Sequence, residues 1–191
     1  MKKSLFAKIL MVIGALLVVC SIALLCYNNY LDKKASIKSQ EVMQPLINLI
    51  DDDKDSWKGK ELTEKEVDGN MYVGFVSIPK LNLDLPVLSR WETTTSRIAP
   101  SRYSGNAETD DLVLAAHSYR YHFGFIGKLR PNDKIIFKDM DGRVYLYEVK
   151  SVEYVYPTQK QEVMEAGYDL TLYTCTYSAT KRIVVFCDKI K

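Results

Sequence analysis

Leu170-Thr-Leu-Tyr-Thr-Cys175-Thr-Tyr-Ser-Ala-Thr-Lys-Arg182-Ile-Val-Val-Phe186 is the stretch whose reading decides the fold. Residues 171–176 alternate β-branched and bulky side chains, and 183–186 form a continuous apolar run; both are strand signals. Ser178-Ala179-Thr180 between them is small and polar, as a short hairpin loop requires. A turn centred near residues 178 and 179 sets Cys175 opposite Arg182. Directly opposed residues of an antiparallel pair project to the same face, with Cβ atoms roughly 5 Å apart. A fixed cation beside a thiol is the partner a nucleophilic sulfur needs.

The same punctuation continues through residues 71–191. Tyr72–Ile78 reads as a strand ended by Pro79, and Leu81–Leu85 alternates strictly, resuming after Pro86. Residues 89–107, polar and broken by Pro100 and Gly105, read as a long surface connection. Leu112–Ala116 is a short buried strand that delivers His117 at its end. Residues 123–129 suit one helical turn. Lys134–Phe137 and Val144–Val149 are strands joined through Asp141-Gly142, a strong hairpin signal, and 151–156 extend or follow the second. Residues 157–167 are polar, with room for one helical turn. Seven or eight short strands without a long helix predict a mainly β domain, a sandwich or closed barrel.

Before Met71 the chain changes character twice. Residues 9–27 (ILMVIGALLVVCSIALLCY) carry no charge and are long enough to cross the roughly 30 Å apolar core of a bilayer as a helix. A cleaved signal favours a shorter apolar core and small residues at its exit; Leu24-Leu25-Cys26-Tyr27 offers neither, which favours an uncleaved anchor. Residues 32–70 are polar and charged. Val42, Met43, Leu46, Ile47, Leu49 and Ile50 recur at helical spacing, predicting a short helix over 36–50 that Pro45 weakens. The expected organisation is therefore a tip and anchor (1–31), a polar stalk (32–70) and a β domain (71–191).

Lysine plus arginine number 26 against 24 aspartates and glutamates, so no clustered basic face points to nucleic acid. Of four cysteines, Cys20 and Cys26 fall in the anchor, leaving Cys175 and Cys187 in the β domain. In the hairpin register Cys187 lies opposite residue 170, five positions along from Cys175. At about 3.3 Å per residue that exceeds the roughly 7 Å Cα separation a disulfide tolerates.

Alone, Cys175 reads as a small buried filler and Arg182 as a surface cation. A cysteine nucleophile also needs an acid or base. The two histidines are His117, held by a buried strand, and His122, in a loop-like segment; His117 is the better candidate. A Cys-His-Arg set suffices for acyl transfer: sulfur attacks a carbonyl, a cation stabilises the oxyanion, and imidazole protonates the leaving amine.

These residues carry a family resemblance. Thr171-Leu-Tyr-Thr-Cys175 resembles the TLxTC signature of sortases, the cysteine transpeptidases of Gram-positive surfaces. Leu114-Ala-Ala-His117-Ser is similar to their strand-end histidine motif, and Arg182 matches the arginine on the strand after the cysteine. Tyr72-Val-Gly-Phe-Val-Ser-Ile-Pro-Lys-Leu resembles the family's opening strand, and residues 123–135 its stretch after the histidine. Ala116 and Asn132-Asp133 depart from the usual glycine and Gly-Asp turn.

The resemblance implies a single closed sortase-type β-barrel of seven or eight strands outside the cell, behind a single-pass anchor. It implies cleavage of an LPxTG-like C-terminal signal on surface proteins, a thioester intermediate, and transfer to an amine of a peptidoglycan precursor. By position, Cys175 is the nucleophile, His117 the general acid/base and Arg182 the binder of substrate and oxyanion; Thr174 is a secondary, pocket-shaping candidate. No cofactor and no metal ligand set is implied, since the acidic run 51–55 lies in the stalk. The subclass fits a class D-like or unassigned type. Two alternatives stay open: a catalytically silent binding module on the same barrel, and a peptidase that uses water as acceptor.

Overall fold

The computed structural model describes residues 2–50 and 61–190, with side chains from residue 7 onward. The acidic run 51–55 lies outside the described residues. Two compact units divide at Lys34/Ala35. In the first, residues 7–34 form the bulk of helix α1 (Lys2–Ile47), long and apolar enough to cross a membrane and with none of its apolar window buried.

The second unit is built on nine strands in one sheet: β1 (Lys65–Val67), β2 (Asn70–Ile78), β3 (Leu83–Leu88), β4 (Ser101–Ser104), β5 (Leu112–Ala116), β6 (Lys134–Asp139), β7 (Val144–Val155), β8 (Leu170–Cys175) and β9 (Arg182–Lys189). The order β1-β2-β3-β4-β5-β8-β9-β7-β6 closes through a β2–β6 pairing. Eight strands thus form a closed barrel, with β1 added beside β2. Closure gives each of the eight a paired neighbour on both sides, although β3 and β4 meet at one residue pair only. It requires β2 to press against β6 at Gly74, where a Cβ would lie 2.2 Å from the Lys138 carbonyl oxygen.

Alternation along β8 and β9 divides the two faces. Leu170, Leu172, Ile183, Val185 and Cys187 point into the barrel core with Leu112, Leu114 and Ala116 of β5. Val184 and Phe186 point outward and are covered by Val163 of helix α2 (Lys160–Met164), with Tyr168 stacked on Phe186 at 4.6 Å. Burying each such apolar side chain stabilises the barrel by about 1.5–3 kcal/mol.

Several sequence expectations are met closely. The Asp141-Gly142 turn joins β6 to β7, which runs to Val155 through a bulge between Val149 and Ser151. Asn132, standing where the resembling motif has glycine, adopts φ 73°, a left-handed conformation that asparagine tolerates.

Others differ. Residues 89–107 are not merely a surface connection: they hold a 3-10 turn (Thr95–Arg97) and β4, with Ser96, Ala99 and Ser101 fully buried. The Ser96 and Ser101 hydroxyls meet at 2.8 Å, a buried polar pair that composition does not reveal. Strand β3 runs through Pro86; β4 meets it only at Leu88/Ser101, so most of that side behaves as an edge where proline is tolerated. The helix expected over 36–50 is the end of α1, continuous past Pro45, and Ala35, Val42 and Leu46 are buried in the second unit. Within the stretch expected as polar stalk, Leu62 joins the core and residues 65–67 pair with β2.

Candidate active site

Three adjacent strands fix the geometry. Strands β8 and β9 pair antiparallel with Cys175 opposite Arg182, the register expected from the hairpin loop. Ala179 takes the turn's left-handed conformation at φ 58°, and the Thr176 amide donates to the Lys181 carbonyl to close the loop. Strands β5 and β8 run parallel, with Ala116 beside Thr174. One residue further along each chain stand His117 and Cys175. The row His117–Cys175–Arg182 therefore crosses three neighbouring strands, spaced by about 4.8 Å per strand.

Parity directs that row outward. Ala116 and Leu172 face the core, so His117, Tyr173, Cys175 and Arg182 face away from it. There they line one cavity of about 240 Å³, walled further by Trp91, Tyr103 and Lys160. Thr174 also borders it, but its buried hydroxyl donates to the Ala116 carbonyl at 2.7 Å. That bond ties β8 to β5 immediately before the cysteine and the histidine.

The imidazole of His117 lies between two rings, Trp91 and Tyr119, each with its centroid at 5.3 Å. Burial pushes its pKa below the ordinary histidine value and nearby Arg97 adds to this, while a hydrogen bond with the Thr93 carbonyl opposes both. The ring is thus neutral at neutral pH. Among the described residues its buried Nε2 has no hydrogen-bond partner. Arg182 donates from Nη1 to the carbonyls of Ala179 and Lys181, at 3.0 and 3.2 Å, which braces the guanidinium at the loop. It lines the same cavity as the Tyr173 phenol.

The second thiol is elsewhere. Cys187 is fully buried, pairs with Leu170 in the hairpin, and points into the core. Burial pushes its thiol well above the ordinary range, with Asp188 adding to the shift. Both cysteines are free, as the register argument requires.

Among the described residues no group of acidic, histidine or cysteine side chains could hold a metal ion. Trp91, Tyr103, Tyr173 and Lys160 are cavity residues that sequence reading missed. Tyr173 had a signal, lying two positions before Cys175 on one strand and so on the same face. Trp91 and Lys160 come from connections whose paths only the folded chain reveals.

Residues 76–190 match the model of the sortase domain. The chain belongs to the sortase family. It is similar to sortase A of Bacillus anthracis, 30% identical over 138 residues, spanning 68% of this chain and 65% of that relative's length. Among solved structures, a sortase D5 transpeptidase of Clostridium perfringens superposes with a TM-score of 0.63 at 15% identity, covering 81% of this chain and 99% of that one. Listeria monocytogenes sortase A gives 0.54 at 24%, covering 63% and 88%. Streptomyces coelicolor sortase E1, solved with a tripeptide in its active site, gives 0.54 at 18% with the same coverage. These likenesses share the sortase barrel across lettered types and assign no subclass.

Proposed function

We propose that this sortase is a membrane-anchored cysteine transpeptidase that cuts an LPxTG-like signal on surface proteins and joins the acyl half to an amine. The observation that carries this reading is the row of His117, Cys175 and Arg182 on three adjacent strands, facing one cavity. In the proposed reaction, His117 imidazole accepts the Cys175 proton as sulfur attacks the carbonyl carbon of the Thr–Gly bond. Arg182 stabilises the resulting oxyanion. The imidazolium then returns that proton to the leaving glycine nitrogen, the C–N bond breaks, and a thioester remains on Cys175. An acceptor amine attacks the thioester, its proton passes to His117, and the thiol is restored when the C–S bond breaks. A neutral resting imidazole suits the first proton transfer.

Thr174 has a positioning role in this scheme, holding the strand ends on which cysteine and histidine stand. Residues 9–27 are the proposed single-pass anchor, with the barrel from about residue 61 on the outer side and a peptidoglycan precursor as the amine.

The test uses the full chain in detergent, a fluorogenic LPxTG peptide and triglycine as acceptor. The expected result is triglycine-dependent ligation product and a thioester adduct on Cys175 by mass spectrometry, both lost in Cys175→Ala. Cleavage at the same rate without triglycine would make the protein a peptidase. A folded protein giving neither adduct nor cleavage would leave a binding module.

A further inference from the structure

The cavity carries an uneven charge. Its titratable lining includes two cations, Lys160 and Arg182, and no carboxylate. Three lysines of the barrel, none of them lining this cavity, are neutralised locally. Lys134 and Lys150 close on Glu148 at 3.1 and 2.6 Å, and Lys189 closes on Asp110 at 2.6 Å. Lys160 has no ion-pair partner among the described residues.

Lys160 is nonetheless held in place. It opens helix α2, and one turn later Val163 is buried against Val184 and Phe186, fixing the helix on the barrel wall. The ammonium lies 4.7 Å from the centre of the Tyr103 ring, a cation–π contact at the solvent-exposed rim of the cavity. Tyr173 lines the same cavity as both cations. Arg182 is committed to the turn carbonyls and, in the reading above, to the oxyanion. Lys160 is the cation left for something else.

We propose that Lys160 reads an acidic side chain on the incoming peptide, so that this sortase selects a sorting segment with glutamate or aspartate within or directly beside its motif. The inference rests on the transpeptidase reading and narrows its substrate class. A carboxylate over Tyr103 would complete an ion pair that the fold leaves half built, at an exposed rim where the attraction is modest and sensitive to salt.

The experiment measures acyl-enzyme formation by the full chain with peptides carrying Glu, its isostere Gln, or Lys. These are placed in turn at the third position of LPxTG and at the residues on either side of the motif. At one of these positions Glu is expected to exceed Gln by about threefold to fivefold in kcat/KM, and Lys to fall below both. The Glu/Gln ratio should shrink toward one at high salt and in Lys160→Gln. In Lys160→Glu the order should invert, with the Lys peptide preferred.

Glu and Gln equal at every position, or a Glu preference that survives Lys160→Gln, would overturn the inference while leaving the transpeptidase reading intact. Failure of every peptide to acylate Cys175 in folded protein would overturn both. Because the readout is a ratio between peptides on one variant, a partial loss of folded protein cancels.

Discussion

The Thr174 hydroxyl donates to the Ala116 carbonyl at 2.7 Å, bridging β8 and β5 one residue before Cys175 and His117. Thr174 is about 1% exposed, so this bond is shielded from water and its loss is not made good by solvent. The spacing of sulfur and imidazole depends on how these two strand ends are held together.

Thr174→Val keeps the shape and removes the donor. It should cost about 1–2 kcal/mol of stability, the ordinary penalty for a buried hydrogen bond lost from one side. Ligation should fall by more than the unfolded fraction explains, because the strand ends are no longer pinned. Thr174→Ser, which keeps the donor, should recover most of the ligation rate. Urea titration alongside the triglycine assay checks both; a valine variant equal to wild type in each would remove the positioning role.

Arg182→Lys keeps the charge but loses the forked donor. Its Nη1 bonds to Ala179 and Lys181 brace the guanidinium, and a flexible ammonium cannot reproduce that fixed geometry. The expected outcome is a fall of about tenfold to a hundredfold in the acylation rate constant, with little change in melting temperature. Near-normal acylation would remove the oxyanion role and leave Arg182 as a brace for the loop.

The two barrel thiols should behave oppositely. Cys187 packs among apolar core side chains, and burial raises its thiol far above neutral pH. Cys187→Ala should therefore cost about 1 kcal/mol in stability from the small cavity it leaves, yet retain most of the ligation rate. In the native protein, iodoacetamide followed by peptide mapping should find Cys175 alkylated and Cys187 protected until denaturant is added. Equal loss of ligation in Cys175→Ala and Cys187→Ala would count against Cys175 as sole nucleophile.

How far these relationships were legible from sequence follows from their range along the chain. The Cys175/Arg182 register depends on one local turn, and period-2 alternation fixes the rest of that hairpin. Asp141-Gly142 and Leu112–Ala116 were readable for the same reason. Strand β4 was hidden because Ser96 and Ser101, polar by type, satisfy each other inside the fold. The passage of α1 through Pro45 reflects tertiary burial of Val42 and Leu46 overriding local propensity. Trp91 and Lys160 reach the cavity from connections whose paths depend on the whole barrel. His122 reads as a loop residue, and only packing makes it a core one.

That burial gives His122 a measurable signature. The ring is fully enclosed, 5.5 Å from the Tyr119 ring, and neither nitrogen makes a hydrogen bond of normal geometry among the described residues. Burial lowers its pKa to about 4, nearby His117 adds to this, and the Ile98 carbonyl offsets only part. Between about pH 4 and the unfolded value of 6.5 the unfolded chain binds a proton here that the folded chain does not. Stability therefore falls as pH drops through that window, by about 3 kcal/mol from this group alone. Above the window both states are neutral and below it both are charged, so the contribution is flat on either side. Asp139, whose carboxyl burial raises above its usual value, works with the opposite sign where the windows overlap. It is present in wild type and variant alike and drops out of their difference. In His122→Gln, urea stability measured from pH 7 to pH 4 should decline less steeply than in wild type, the gap closing by about 3 kcal/mol at the acid end. Parallel profiles for the two proteins would mean that His122 takes up its proton without leaving the folded core.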